Sequence, residues 1–289
     1  MSPSIALASC RDLPSTEVDD VPLVHALESR GARVETVPWD DQRADWGAFD
    51  LVLLRTTWDY VPRREEFCRW CERVESVTRL ENPAALVRWN TDKRYLFELE
   101  EAGLATIPTR LVESPHDLAE GVASFSGARK LFLKPVVGAD ANSTLPFAND
   151  PAGRERAIRF LEEEAAHGPF LVQPFLASVE THGEVSLFWL GSEWTHAVRK
   201  VPKTGDWRVQ DNHGATDGPH EPSEAERQLA RRALEYLGAP LYLRVDFLTG
   251  DSDEPLIVEL ELVEPSLFFR HRSQAADVLA RNVLARLHS

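Results

Sequence analysis

The stretch Leu241-Tyr-Leu-Arg-Val-Asp-Phe247, the turn-rich Thr249-Gly-Asp-Ser-Asp-Glu-Pro255 and the stretch Leu256-Ile-Val-Glu-Leu-Glu-Leu262 together read as a β-hairpin. Side chains alternate faces along a strand. Leu243, Val245 and Phe247 therefore share one face with Val258, Leu260 and Leu262, while Arg244, Asp246, Glu259 and Glu261 share the other. Like charges opposed across strands repel, and one arginine cannot neutralise three acids. That face calls for a cation. Oxygen donors of this kind suit Mg²⁺, which is commonly held by one or two carboxylates together with substrate phosphates. A solvated polar face on an edge hairpin is the alternative reading of the same pattern.

Upstream of the hairpin, residues 185–190 and 194–201 read as adjacent strands joined by Gly191-Ser-Glu193, followed by a loop over 202–222 that is longer than ordinary connections. Helices are expected over 223–237 and 273–287. Lys134 lies within the apolar strand Leu131-Phe-Leu-Lys-Pro-Val-Val137, ahead of the small-residue turn Gly138-Ala-Asp-Ala-Asn-Ser-Thr144. A lysine in a buried strand needs an anionic partner, and a turn of small residues offers backbone N–H groups to phosphate oxygens. An edge-strand lysine reaching solvent is the competing reading. Phe170-Leu-Val-Gln-Pro-Phe-Leu176 is a strand stopped by a proline, leaving backbone groups able to read an adenine edge, with Glu184 a few residues on. Lys200, Lys203 and Arg208 supply local positive charge.

Residues 5–9, 33–37 and 51–54 read as short apolar strands alternating with helices over 20–29 and 63–77, the pattern of a Rossmann-like α/β domain with a parallel sheet. No GxGxxG follows the first strand, so dinucleotide binding has no support there. Arg55-Thr-Thr-Trp-Asp-Tyr60 follows the third strand, at the carboxyl end where open α/β sheets bind ligands. Arg55, Thr56, Thr57 and Asp59 would suit a small polar substrate; equally, Trp58 and Tyr60 would cap the core and Thr57-Trp-Asp59 a helix. Further helices are expected over 84–89, 92–102, 114–124 and 153–166.

The chain has 289 residues, with 47 acidic against 32 basic side chains and a net charge of −15. That length suggests about two domains. That charge argues against generic binding to nucleic acid or anionic membranes. The first residues lack the pattern of a signal peptide and no run spans a membrane, so a cytoplasmic protein is expected. Three cysteines make a disulfide framework improbable on count alone, and Cys68 and Cys71 read as helix-face residues.

From Asn82 to Ser266 the order of these pieces resembles the ATP-grasp superfamily of carboxylate–amine ligases, most closely its glutathione synthetase branch. The matching segments are Asn82-Pro-Ala-Ala-Leu86, Asn90-Thr-Asp-Lys93, Lys134-Pro135, Gln173 to Leu176, Glu184, Lys200-Val-Pro202, Arg208, His213-Gly214, Asp246 and Glu259-Leu-Glu261. The resemblance implies an N-terminal α/β domain (1–82) and an ATP-grasp domain (83–289) of two α+β subdomains, with a lid over about 106–171.

By the same resemblance, Lys93, Lys134, Gly138, Gln173, Pro174, Phe175, Leu176 and Glu184 would bind ATP. Asp246, Glu259 and Glu261 would hold Mg²⁺, with Mn²⁺ as the alternative ion, and Lys200, Arg208, His213 and Gly214 would serve the acyl-phosphate chemistry. Glu261 stands where the family carries asparagine, and Gly138 is alone where relatives carry several glycines. Thr56-Thr-Trp-Asp59, His196 to Pro202 and Val258 to Ser266 resemble a compact subgroup that includes the D-cycloserine cyclo-ligase, which closes the ring of an O-ureido amino acid. A small-molecule substrate with a carboxylate and an amine or ureido nitrogen is implied, and a homodimer is expected. Arg55, Ser266 and Arg270-His-Arg272 are the candidate substrate contacts. Ligation of two separate molecules and a non-catalytic, synapsin-like nucleotide-binding module are the alternatives.

Overall fold

The computed structural model describes residues 2–13 and 19–288. Strands β1 (Ser4–Ser9), β2 (Arg33–Pro38), β3 (Leu51–Thr56) and β4 (Arg79–Glu81) form a parallel sheet in the order β2-β1-β3-β4. β1 and β3 are buried along their whole length, as expected of parallel strands covered on both faces. Ile5, Leu7, Leu51 and Leu53 pack into one core, which includes Leu23 and Leu27 of α1 (Val21–Glu28). Ala6, Ala8, Val52 and Leu54 pack into another, with Phe67, Trp70 and Val74 of α2 (Arg64–Glu75) and Val87 of α3 (Ala84–Asn90). Cys68 and Cys71 are free thiols on the buried face of α2.

After α4 (Tyr95–Glu101) a small antiparallel sheet follows, in the order β5-β8-β6-β7. It is built from β5 (Arg110–Val112), β6 (Lys130–Pro135), β7 (Leu145–Ala148) and β8 (Phe170–Pro174), with α5 (Leu118–Ala123) and α6 (Pro151–Glu163) packed on it. Val112, Leu118, Leu131, Leu133, Phe147, Leu161 and Phe170 give it a core of its own.

A five-stranded antiparallel sheet completes the molecule in the order β11-β10-β9-β12-β13. Short α7 (Ser178–Thr181) precedes β9 (Glu184–Leu190), and β10 (Trp194–Val201), β11 (Thr216–Pro219), α8 (Glu224–Leu237), β12 (Tyr242–Thr249), β13 (Pro255–Glu261) and α9 (Gln274–Arg286) follow. α8 opens on a Ser223–Glu226 capping box and closes on Gly238 at φ +72°. α9 packs back on the parallel sheet and α1: Leu279, Ala280 and Val283 share a core with Ile5, Leu7 and Leu23. The two antiparallel sheets line a common cleft, the gripping arrangement that the resemblance implies.

Three short strands go beyond the sequence reading: β4, β7 and β11, the last lying within the expected 202–222 loop. The helix expected from 92 starts at Tyr95 instead, because the Lys93 N–H bonds the Val136 carbonyl of the neighbouring sheet, 2.9 Å away.

Candidate active site

The hairpin forms and its four polar residues share one face, Arg244 paired with Glu261 and Asp246 with Glu259. A bulge follows Asp246, so Val258, expected on the apolar face, lines the cleft, and Ile257 takes its place in the core. The Asp246 carboxylate is buried and held by Ser186 Oγ at 2.6 Å, Arg244 Nε at 2.9 Å and Arg244 Nη2 at 2.8 Å, with Lys200 Nζ at 3.7 Å. Burial opposes its charge, but Arg244 and Lys200 hold its pKa below the ordinary carboxylate value. Arg244 also bonds Glu261 and, through Nη1, the Ser266 carbonyl at 3.2 Å. Burial pushes Glu261 up to about 7, with Asp246 and Glu259 adding to the rise and Arg244 opposing it.

Lys93, Lys134 and Lys200 converge on this face from three separate elements. Lys93 Nζ lies 2.7 Å from Glu259 Oε1 and 2.6 Å from the Gly138 carbonyl. Lys134 Nζ donates to the Val258 carbonyl at 3.3 Å. Burial lowers the Lys134 ammonium to about 8, with Glu259 opposing the shift and Lys93 adding to it. Lys200, on β10, pairs with Glu184 of β9; burial works against its charge, yet Asp246 and Glu184 raise its pKa. Glu184 itself is pushed up by burial and by Asp246 against the pull of Lys200.

All of these groups line one cavity of about 1550 Å³. Small-molecule sites ordinarily occupy roughly 300–1,000 Å³, so this one has room for more than one ligand. Gly138, Gln173, Pro174, Phe175, Leu176, Arg208 and Ser266 line it too. Gln173 donates to Thr109 Oγ1 at 2.7 Å. The Phe175 N–H, the first after the proline that ends β8, bonds the Lys130 carbonyl at 3.0 Å and is not free to read an adenine edge. Arg208 is clamped by Asp206 at 2.7 Å. The loop after Lys134 manages with one glycine because Asp140, Ala141 and Ser143 take left-handed conformations themselves, a local strain of the kind that collects at binding sites.

Several candidate contacts fall elsewhere. Arg55 and Thr56, at the end of β3, and Thr57 just after it are buried, and Arg55 Nε is spent on Asp20 Oδ1 at 2.7 Å. Asp59 accepts from Trp39 Nε1 and pairs with Arg63, fixing a turn. From that segment it is Trp58 and Tyr60 that line the cavity. His213 and Gly214 lie outside its lining; Gly214, at φ +81°, ends the turn Asp211–His213, and Gln210, Asp211 and Asn212 face the cavity instead.

Sequence reading missed Phe132 and Trp207, which meet edge to face at 4.8 Å in the cavity wall, although Phe132 shares a strand face with Lys134 two residues on. It also missed Glu264, pushed up to about 8 by burial and by Glu261. Asp19, another omission, caps the Leu267, Phe268 and Phe269 N–H groups.

Among the described residues, no three His, Cys, Asp or Glu side chains form a metal-binding group. Arg244 and Lys93 stand among the hairpin acids. The donor chemistry nevertheless fits Mg²⁺ at Glu259 and Glu261, both partly exposed to the cavity and both oxygen donors, better than at the enclosed Asp246.

The family model for the N-terminal domain of D-cycloserine synthetase DcsG matches residues 5–82. The cycloserine biosynthesis protein DcsG of Streptomyces lavendulae is 32% identical over 284 residues, covering 94% of each chain. The crystal structure of D-cycloserine synthetase DcsG superposes with a TM-score of 0.89 at 29% identity, covering 98% of this chain and 99% of that one. Two more distant structures share the fold. They are D-alanine–D-alanine ligase from Bacillus anthracis, complexed with ATP (TM-score 0.70, 14% identity, 100% and 99% covered), and a RimK domain ATP-grasp protein from Sphaerobacter thermophilus (0.69, 19%, 97% and 99%). The chain is thus an ATP-grasp ligase and belongs to the D-cycloserine synthetase (DcsG) family.

Proposed function

We propose that this enzyme activates the carboxylate of an O-ureido amino acid with ATP and closes a five-membered ring onto the substrate's own nitrogen, as the name of its relative, D-cycloserine synthetase, suggests. The observation that carries the reading is the convergence of Lys93, Lys134, Lys200 and Arg208 with the acidic hairpin face in one cavity. The adenine would lie toward Phe132, Phe175 and Trp207, the aromatic end. Lys93 and Lys134 would neutralise phosphate charge, the main catalytic task in phosphoryl transfer.

The substrate carboxylate attacks the γ-phosphorus and ADP leaves. Lys200 and Arg208 counter the charge of the resulting acyl phosphate. The ureido nitrogen then attacks the acyl carbon, phosphate departs and the nitrogen gives up its proton. Mg²⁺, or Mn²⁺ in its place, would be held by Glu259 and Glu261 and would supply charge neutralisation on the terminal phosphates. The small sheet, with its own core, would act as a lid over about 106–171 that shields the acyl phosphate from water.

A cytosolic homodimer completes the proposal. No helix among the described residues is long and apolar enough to cross a membrane. Light scattering reads the assembly directly.

The test is ADP release with Mg²⁺, ATP and O-ureido-D-serine. One ADP per ring product is expected. ADP release indifferent to the amino acid, or product only when a separate amine is added, would refute ring closure. Lys134→Ala is expected to lower ATP affinity by at least tenfold, measured by calorimetry, because it removes a charged hydrogen bond to phosphate of about 1.5–3 kcal/mol.

A further inference from the structure

The cavity is rich in carboxylates, and nearly all of them are spoken for. Glu184 is held by Lys200, Asp246 and Glu261 by Arg244, and Glu259 by Lys93. Asp19 spends its oxygens on backbone N–H groups, and Asp211 pairs with Arg270. Glu264 differs. It lines the cavity and, among the described residues, has no lysine or arginine within ion-pair distance; Lys93 acts on it only from farther off, and the Tyr60 hydroxyl is its side-chain neighbour. Its backbone is pinned by Trp58 Nε1, which donates to the Glu264 carbonyl at 3.1 Å. Both aromatic side chains line the cavity beside it.

We propose that Glu264, together with the rings of Trp58 and Tyr60, binds the ammonium group of the amino-acid substrate. This inference rests on the ligase reading above and adds to it the residue that selects an amino acid over a plain carboxylic acid. Burial and the neighbouring Glu261 hold free Glu264 largely in its neutral form near neutral pH, and an ammonium arriving beside it offsets the cost of ionising it. Aromatic faces attract the same cation through their quadrupoles.

The position is also right. Glu264 follows the metal-facing Glu261 by three residues, and Arg244 ties that segment to the hairpin through the Ser266 carbonyl. The ammonium of an α-amino acid sits one carbon from its carboxylate. An acid beside the phosphate-facing cations can therefore take the ammonium while those cations take the carboxylate. The Glu264 backbone is thus fixed from the loop after β3, whose Trp58 and Tyr60 line the cavity while Arg55 turns to Asp20.

Glu264→Gln keeps the shape and a polar group beside Tyr60 while removing the acid that can ionise against an ammonium. With O-ureido-D-serine as substrate, KM for the amino acid is expected to rise roughly 30-fold, equivalent to about 2 kcal/mol. KM for ATP and the thermal shift produced by ATP should stay as in the wild type, which also shows that the variant folds. Glu264→Asp should recover part of the loss. The desamino analogue, carrying hydrogen in place of the ammonium, should bind wild type about as weakly as the complete substrate binds Glu264→Gln, and should lose nothing further in the variant.

A fall in kcat at unchanged KM, or an equal loss for the desamino analogue, would overturn the assignment. Normal wild-type turnover with an unaltered KM in Glu264→Gln would overturn this inference alone. A wild-type enzyme whose ATP hydrolysis ignores every amino acid would overturn it together with the ligase reading.

Discussion

With its ammonium lowered to about 8 by burial, Lys134 is partly neutral at mildly alkaline pH. A bound triphosphate favours the charged form, so ATP binding draws a proton onto Lys134 where it is deprotonated beforehand. The sign follows: uptake is close to zero below pH 7 and rises through pH 8 toward one proton at pH 9. Calorimetry of ATP binding in two buffers of different ionisation enthalpy measures this directly, and Lys134→Ala should abolish the rise. Proton release over the same range would place Lys134 away from the phosphates. At this scale the sequence was informative where period-two alternation applied: Arg244, Asp246, Glu259 and Glu261 share their face as alternation requires. It misled where a partner distant in sequence decided the outcome. Nothing local to Arg55 announces Asp20 as the acid that draws it under the sheet.

The junction between α7 and β9 turns on Gly183, at φ +77°, where an added Cβ would stand 2.2 Å from the Lys200 carbonyl oxygen. Glycine is required there both by conformation and by space. Gly183→Ala is expected to push β10 away from β9 at the Glu184–Lys200 pair, lowering stability by about 2 kcal/mol or more and activity by more than stability alone explains. Denaturant melts beside kcat separate the two effects; wild-type turnover would show that the strand pairing is not what positions Lys200. The short strands β4, β7 and β11 escaped sequence reading for a related reason. Runs of three or four residues carry too little alternation to declare themselves, and Thr216–Pro219 includes a glycine and a proline. Such segments become strands because a neighbour offers hydrogen bonds, as β10 does for β11.

Across the whole molecule, the cleft lies between two sheets whose cores meet through Leu171 and Val136, and a ligand that touches both sheets links them further. ATP at a hundredfold excess over its Kd should stabilise the fold by about 2.7 kcal/mol, a rise in Tm of roughly 5 °C for a chain of this size. Differential scanning fluorimetry with and without Mg²⁺ reads this, and an unmoved transition would argue against a nucleotide bridging the sheets. The architecture was legible from alternating strands and helices followed by paired strands. The return of α9 onto the parallel sheet was not, because an amphipathic helix announces that it has a partner without naming it.

The packing of Leu279, Ala280 and Val283 against Ile5, Leu7 and Leu23 sets an order on biogenesis. The opening strands emerge from the ribosome long before the helix that covers one side of their sheet, so they wait with an oily surface uncovered while the catalytic half is still being synthesised. Chaperone engagement should therefore concentrate on early nascent chains, and the first domain expressed by itself should prove sticky until a peptide spanning α9 is supplied in trans.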